Sequence, residues 1–221
     1  MSFPLRTFLG RFIANFLILS GLIILGYTYV PLLAGEFWYF LKSIKKQEYS
    51  LTAKNGVKQS VFAKYLTKDT IRMDPIGREF GIVIEKLNVN APIVRNVSVV
   101  DEKAYNAALE KGVAHAIGSS FPGDRGNVYL FAHSAVGLFR FGKYAQTFNL
   151  LRKLENGDKV HVFFGNRDFT YEVINKEVIK GWDTRPLTRK TVDPILTLQT
   201  CDPPGTTFNR LVVTSKLVSV N

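Results

Sequence analysis

A mainly β domain, closed or barrel-like and with a few short helices, behind one apolar amino-terminal helix is the architecture this sequence predicts. Three observations carry it. Phe12 to Gly35 is a run of 24 residues without Asp, Glu, Lys or Arg. From Phe80 onward the apolar residues fall in short runs, at 80–84, 91–94, 127–132, 160–164, 169–174, 191–198 and 211–218. Their Val, Ile, Phe and Tyr content, and the Gly, Asn, Asp and Pro between them, suit strands better than long helices.

The apolar run comes first. At about 1.5 Å of rise per residue it crosses a hydrocarbon layer roughly 30 Å thick. Asn15, Ser20, Thr28 and Pro31 interrupt it, and Phe37, Trp38, Tyr39 and Phe40 follow as an interfacial aromatic cluster. The division predicted is a cytoplasmic amino terminus at 1–11, a transmembrane signal-anchor at 12–35, a juxtamembrane stalk or docking segment at 36–79 and a folded domain at 80–221. The competing reading is a cleaved signal peptide, with Arg6 and Arg11 before the run and small Ala34-Gly35 near its end. Against it, the run exceeds the apolar core of roughly 7–15 residues in an ordinary signal, and no A-x-A site closes it. Charge alone orients the span weakly, since Lys42, Lys45 and Lys46 follow it.

Composition narrows the classes. The 221 residues carry 29 basic and 18 acidic side chains, a net charge of +11. A charged fraction of 21% with 13% aromatics excludes a disordered chain, and one cysteine excludes a disulfide framework, a CxxC redox centre and a cysteine-rich zinc site. The basic excess is spread out: residues 36–79 hold nine basic and five acidic groups, and residues 80–221 hold 18 and 13. That pattern favours attraction to anionic lipid heads or envelope polymers over a nucleic-acid groove.

Along the remainder, Val57, Val61, Phe62 and Tyr65 make a short helical face within 56–66, before the turn signal Asp74-Pro75-Ile76-Gly77. Residues 101–110 read as a helix, with Asp101 as N-cap, Tyr105, Ala108 and Leu109 as its apolar face and Gly112 to stop it. A second short helix is predicted at 144–150. Gly165-Asn166 reads as a hairpin loop, with Val160, Val162 and Phe164 on one strand face and Lys159, His161 and Phe163 on the other. A domain of this length buries on the order of two thirds of its unfolded surface.

Several familiar sites are excluded. Gly137 to Lys143 imitates the spacing of a phosphate loop, but Tyr144 replaces the Ser or Thr that meets magnesium, and bulky aromatics obstruct the backbone. There is no G-x-S-x-G elbow and no H-E-x-x-H helix. His115, His133 and His161 are 18 and 28 positions apart, which is no short metal-ligand spacing. Asp101, Glu102 and Glu110 are explained by capping and solubility, so no calcium site is assigned. No cofactor is predicted. Asn96-Val97-Ser98 matches a glycosylation acceptor, a signal too common to alter the reading.

The chemistry points to Cys201, at the end of an apolar run and followed at once by Asp202-Pro203-Pro204-Gly205. A lone cysteine is ordinarily a small buried hydrophobe. A strand running into a polar turn, however, presents a thiol at a cleft while anchoring its backbone.

Thr197-Leu198-Gln199-Thr200-Cys201 resembles the T-L-x-T-C signature of bacterial sortases, and Arg210 follows nine positions later in Arg210-Leu211-Val212-Val213. A second stretch, from Leu109 through His115, Pro122-Gly123 and Gly126-Asn127 to His133, resembles the sortase segment leading into the catalytic histidine. Two separated motifs in the right order are far more specific than either alone. The resemblance implies a sortase β-barrel in which Cys201 is nucleophile, His133 general acid and base, and Arg210 the cation that steadies substrate or oxyanion. It also suggests a backbone oxyanion role for Thr200, whose side chain supports the thiol's surroundings, and a place for His115 in the peptide groove or in a structural turn. The family more often has glycine where this chain has Ala132.

The residue chemistry agrees. A thiolate is the effective nucleophile, and its free pKa of about 8.5 makes a neighbouring cation useful. Imidazole can protonate a departing amine and deprotonate an incoming one. Arginine stays protonated, so it serves as a planar donor and not as a base.

The activity implied is cleavage of an LPXTG-like sorting signal through a thioester, with transfer to an amine on a peptidoglycan precursor or a pilin lysine. Protein substrates, that amine and membrane lipid are the implied partners. The alternatives are a membrane-anchored cysteine peptidase that admits water, and an inert envelope-binding protein. The Cys201 to Arg210 interval looks closer to pilin-assembly or housekeeping sortases than to relatives with longer intervals.

Overall fold

The computed structural model describes residues 5–45, 49–51, 71–134 and 143–221. The helical face predicted at 56–66 and the phosphate-loop imitation beginning at residue 137 lie outside the described residues.

One helix, α1 (Leu5–Lys45), takes in the whole apolar run. Its Leu9–Tyr27 window has a mean hydropathy of 1.9 and none of it is buried by protein, so by length and composition it is able to cross a membrane. The helix does not stop at the end of the apolar run. Its last turns continue into the predicted docking segment and lie against the folded domain. There Tyr39 packs on the core, Glu36 pairs with Arg152 and, at 3.2 Å, with Lys153, and Lys42 Nζ donates to the Glu85 and Lys86 carbonyls at 3.1 and 2.9 Å.

After a two-stranded parallel pair, β1 (Tyr49–Leu51) and β2 (Ile71–Met73), eight strands close a barrel. They are β3 (Phe80–Ile84), β4 (Val89–Val97), β5 (Val113–Ala116), β6 (Asn127–Phe131), β7 (Lys159–Phe164), β8 (Arg167–Lys180), β9 (Ile195–Asp202) and β10 (Asn209–Val220). Around the barrel the order is β10-β8-β7-β3-β4-β5-β6-β9. Closure leaves no unpaired edge within it.

The apolar runs mark strand centres and understate strand lengths. β4 and β8 extend into Arg95-Asn96 and Asn175 to Lys180, because polar residues on a solvent-facing side keep pairing while escaping a hydrophobic search. β9 begins at Ile195, beyond Pro194, rather than at Thr191. β5 was not among the predicted strands. It is four residues long, two of them alanine, yet it links β4 in parallel to β6 in antiparallel fashion.

The helix α2 (Glu102–Lys111) begins where predicted, with the Asp101 carboxylate accepting from Ala104 N at 3.0 Å. Gly112 ends it at a close backbone approach: a Cβ there would lie 2.2 Å from the Pro92 carbonyl oxygen. The helix predicted at 144–150 is instead a series of turns leading into a 3-10 turn at Leu151–Lys153. The β7–β8 hairpin turns on Gly165 and Asn166, both at positive φ (55° and 64°), which matches the twist of paired strands.

Two apolar layers follow from the pleat. Ile82, Leu130, Val162, Leu196, Leu198 and Val213 belong to the barrel interior. Val97, Leu109, Tyr129 and Phe131 form a second cluster between the outer face of the wall and α2. That outer layer supports the site.

Candidate active site

Strand β9 alternates strictly. Leu196 and Leu198 lie in the interior cluster, so Thr197, Gln199 and Cys201 occupy the outer face. The parallel neighbour β6 agrees, because Tyr129 and Phe131, paired with Thr197 and Gln199, belong to the outer cluster. Cys201 is half-buried near the end of its strand.

The other two proposed residues arrive at the same end from different directions. Arg210 stands opposite Cys201 in the antiparallel β9–β10 ladder. Opposed side chains leave one face with Cβ atoms roughly 4.5–5.5 Å apart. The Arg210 Nη1 donates to the carbonyls of Thr207 and Asn209, at 3.2 and 3.1 Å, which ties the guanidinium to the turn beside the cysteine.

His133 follows β6 by two residues. The last pair of the parallel ladder is Phe131 with Gln199, so two further residues on each strand bring His133 and Cys201 to one level and one face. The seam is tied just before them: Ala132 N donates to the Gln199 carbonyl at 3.2 Å and Thr200 Oγ1 to the Ala132 carbonyl at 2.8 Å. The His133 carbonyl accepts from Phe148 N at 3.0 Å. Ala132, where the resemblance leads one to look for glycine, adds its methyl group to the interior cluster and leaves the pairing intact.

Thr200 points inward and is buried, so its side chain braces the two strands and does not face the cleft. His115 goes further the other way. Paired with Leu130 on the interior side, it is completely buried, stacks on Phe121 at 4.7 Å and meets Phe80 edge-on at 5.7 Å. Its Nδ1 accepts from Asn96 N at 3.4 Å, which puts the ring proton on Nε2, within 3.0 Å of the Ser120 carbonyl and 2.9 Å of Ser119 Oγ. Of the two places open to His115, the groove and a structural turn, this buried setting suits the structural one, with its neighbours Ala114 and Ala116 in the outer cluster.

Electrostatics set the resting state. Burial pushes the Cys201 thiol above its ordinary pKa, and the Arg210 charge pulls it partly back. The Cys201 side chain therefore rests as a thiol, and a base beside it would be needed for it to act as a nucleophile at neutral pH. Tyr129, its phenol pushed up chiefly by burial, donates to Gln199 Oε1 and so orients that amide. Among the described residues no group of three His, Cys, Asp or Glu side chains forms a cluster able to hold a metal ion.

Residues 82–218 match the family model described as the Sortase domain. The chain belongs to the sortase family. It is 27% identical over 201 residues to Sortase D of Bacillus subtilis, covering 87% of this chain and 89% of that protein. Solved sortases share the fold. Sortase C-1 from Actinomyces oris matches with a TM-score of 0.53 and 31% identity, over 63% of this chain and 73% of that one. Clostridium perfringens sortase C, solved with the C-terminal cell wall sorting motif, matches with a TM-score of 0.53 and 27% identity, over 63% and 69%. This sortase is thus a cysteine transpeptidase built on a closed β-barrel. The proteins it is similar to carry A, C and D designations, so they support the family and select no subclass.

Two groups beside the sortase signature were not singled out for the site. Tyr105 read only as part of an apolar helix face, and Gln199 only as the variable position of the T-L-x-T-C motif. Their roles depend on the partners Phe131, His133 and Tyr129, which lie far away in sequence.

Proposed function

We propose that this sortase acts from the membrane on proteins bearing a carboxy-terminal sorting signal. α1 anchors the chain, with its amino terminus cytoplasmic and the barrel outside. The folded domain begins near Phe80, and residues 36–79 join it to the span. What supports the reading is strand register: Arg210 pairs with Cys201, and His133 and Cys201 each follow the last β6–β9 pair, Phe131 with Gln199, by two residues.

In this mechanism His133 takes the Cys201 proton as the sulfur attacks the Thr carbonyl carbon of an LPXTG-like motif. Arg210 donates to the developing oxyanion, where a fixed cation is most effective. The Thr200 backbone assists it in this reading. The Thr–Gly bond breaks, the departing amine leaves with the proton held by His133, and the acyl group remains as a thioester. An incoming amine, from a peptidoglycan precursor or a pilin lysine, then forms the new amide and returns the thiol.

The sorting-motif complex of the Clostridium perfringens relative supports this substrate class. Intact-mass measurement on the full chain in detergent, mixed with sorting-signal peptides, tests it. A peptide-sized adduct lost in Cys201→Ala and His133→Ala, and discharged by an added amine, is the expected result. Peptide joining that survives either substitution overturns the mechanism.

A further inference from the structure

One aromatic side chain against His133 has no task in this mechanism. Tyr105, near the start of α2, is half-buried and stacks on Phe131 with ring centroids 5.0 Å apart and planes within 13° of parallel. The same ring meets His133 edge-on, with centroids 6.4 Å apart and planes at 79°. One side chain from a separate element thus spans the last residue of β6 and the histidine beyond it.

Tyr105 also reaches the nucleophile's surroundings. Burial raises its phenol pKa, negative charge on Cys201 raises it further, and Arg210 opposes both. The geometry agrees: the ring stacks on Phe131, whose ladder partner Gln199 precedes Cys201 by two residues, and it meets His133. The ring is carried by a firmly seated element, since α2 is capped by Asp101, closed at Gly112 and anchored by buried Ala108 and Leu109.

We propose that Tyr105 is a positioning residue that walls His133 into place and keeps water from the Cys201 thioester, biasing the acyl-enzyme toward an amine. The proposal rests on the transpeptidase reading and deepens it. Amine and water compete for one carbonyl carbon. Either breaks the C–S bond and returns the thiol, forming a C–N or a C–O bond while His133 handles one proton. Water is in great excess over any amine, so a transpeptidase needs a cleft that limits its access. An aromatic wall whose polar tip stays neutral at physiological pH supplies that without adding a charge.

The test uses the full chain in detergent, with Tyr105→Ala, Tyr105→Leu and Tyr105→Phe, and reads the ratio of hydrolysed to aminolysed product at fixed amine. That ratio does not depend on the fraction of enzyme folded. Tyr105→Ala is expected to raise it about 10-fold, with Tyr105→Phe within about two-fold of the parent and Tyr105→Leu between them. An unchanged ratio in Tyr105→Ala overturns the proposal.

A second arm needs no peptide. Cys201 is the chain's single cysteine, so iodoacetamide alkylation reports its ionisation directly. Loss of the ring hydrates the thiol, and the alkylation profile of Tyr105→Ala moves to lower pH. An unshifted profile overturns the proposal as well. If the parent enzyme forms no adduct with any sorting peptide while Tyr105→Ala still shifts the profile, the proposed sorting-signal substrate fails and the placement of Tyr105 beside the thiol stands.

Discussion

Arg210 faces Cys201 directly across the β9–β10 ladder, so the cation and the thiol share one register position at the end of the barrel. Arg210 holds the thiol pKa below the value that burial alone would set. Arg210→Ala is therefore expected to move the alkylation profile of Cys201 to higher pH, opposite to the shift from Tyr105→Ala. Peptide acylation falls about 10²–10³-fold, the scale of losing one preorganised oxyanion donor. Arg210→Lys restores part of the pH effect and little of the rate, because an ammonium keeps the charge without the planar fork. A rate in Arg210→Ala within a few-fold of the parent would contradict the assigned role.

Thr200 ties the strand that carries Cys201 to the segment that leads into His133. Thr200→Val keeps the shape but removes the donor to the buried Ala132 carbonyl, so it should cost about 1–3 kcal/mol in urea denaturation. Thr200→Ser, which keeps the hydroxyl, should recover most of that. Equal stability of the valine and serine variants would show that the bond contributes nothing.

His115 predicts a pH dependence that belongs to folding. Desolvation lowers its pKa in the folded protein from the ordinary 6.5. The folded state therefore binds fewer protons than the unfolded state below about pH 6.5. Stability is fully present above that value and is lost as the pH falls toward the depressed folded value. The denaturation midpoint of the parent should drop between pH 7 and pH 5, and His115→Gln should start lower and respond less. An identical slope in both proteins would remove His115 as the source.

The end of α1 makes a prediction about dynamics. Glu36, Tyr39 and Lys42 hold it to the barrel through ion pairs, core packing and carbonyl contacts. Each exposed pair alone is worth about 1 kcal/mol or less, so single substitutions should leave the helix docked. The triple change Glu36→Ala, Tyr39→Ala and Lys42→Ala should speed hydrogen exchange in the amides of residues 36–45 while the barrel stays protected. Unchanged exchange in the triple variant would show that these contacts do not hold the helix.

Much of the architecture was legible because it depends on neighbours close in sequence. The charge-free run announced α1, alternation and turn residues announced β3, β7 and the Gly165-Asn166 hairpin, and Asp101 announced the start of α2. β5 escaped because Val113 to Ala116 is short and small, and pairing rather than side-chain character makes it a strand. The helix predicted at 144–150 failed because isolated short apolar spacing does not secure a helix against competing turns.

The site divides in the same way. The sequence alone determined the family signature around Cys201, the histidine segment and the cation nine positions on. Only the tertiary structure decided which groups meet: Arg210 opposite Cys201, His133 level with it across a parallel pair, Tyr105 against His133, and His115 turned inward. Local pattern records how one strand or helix divides its residues between two faces. Closure of the barrel decides which faces touch, through pairings between residues tens of positions apart that no local period encodes.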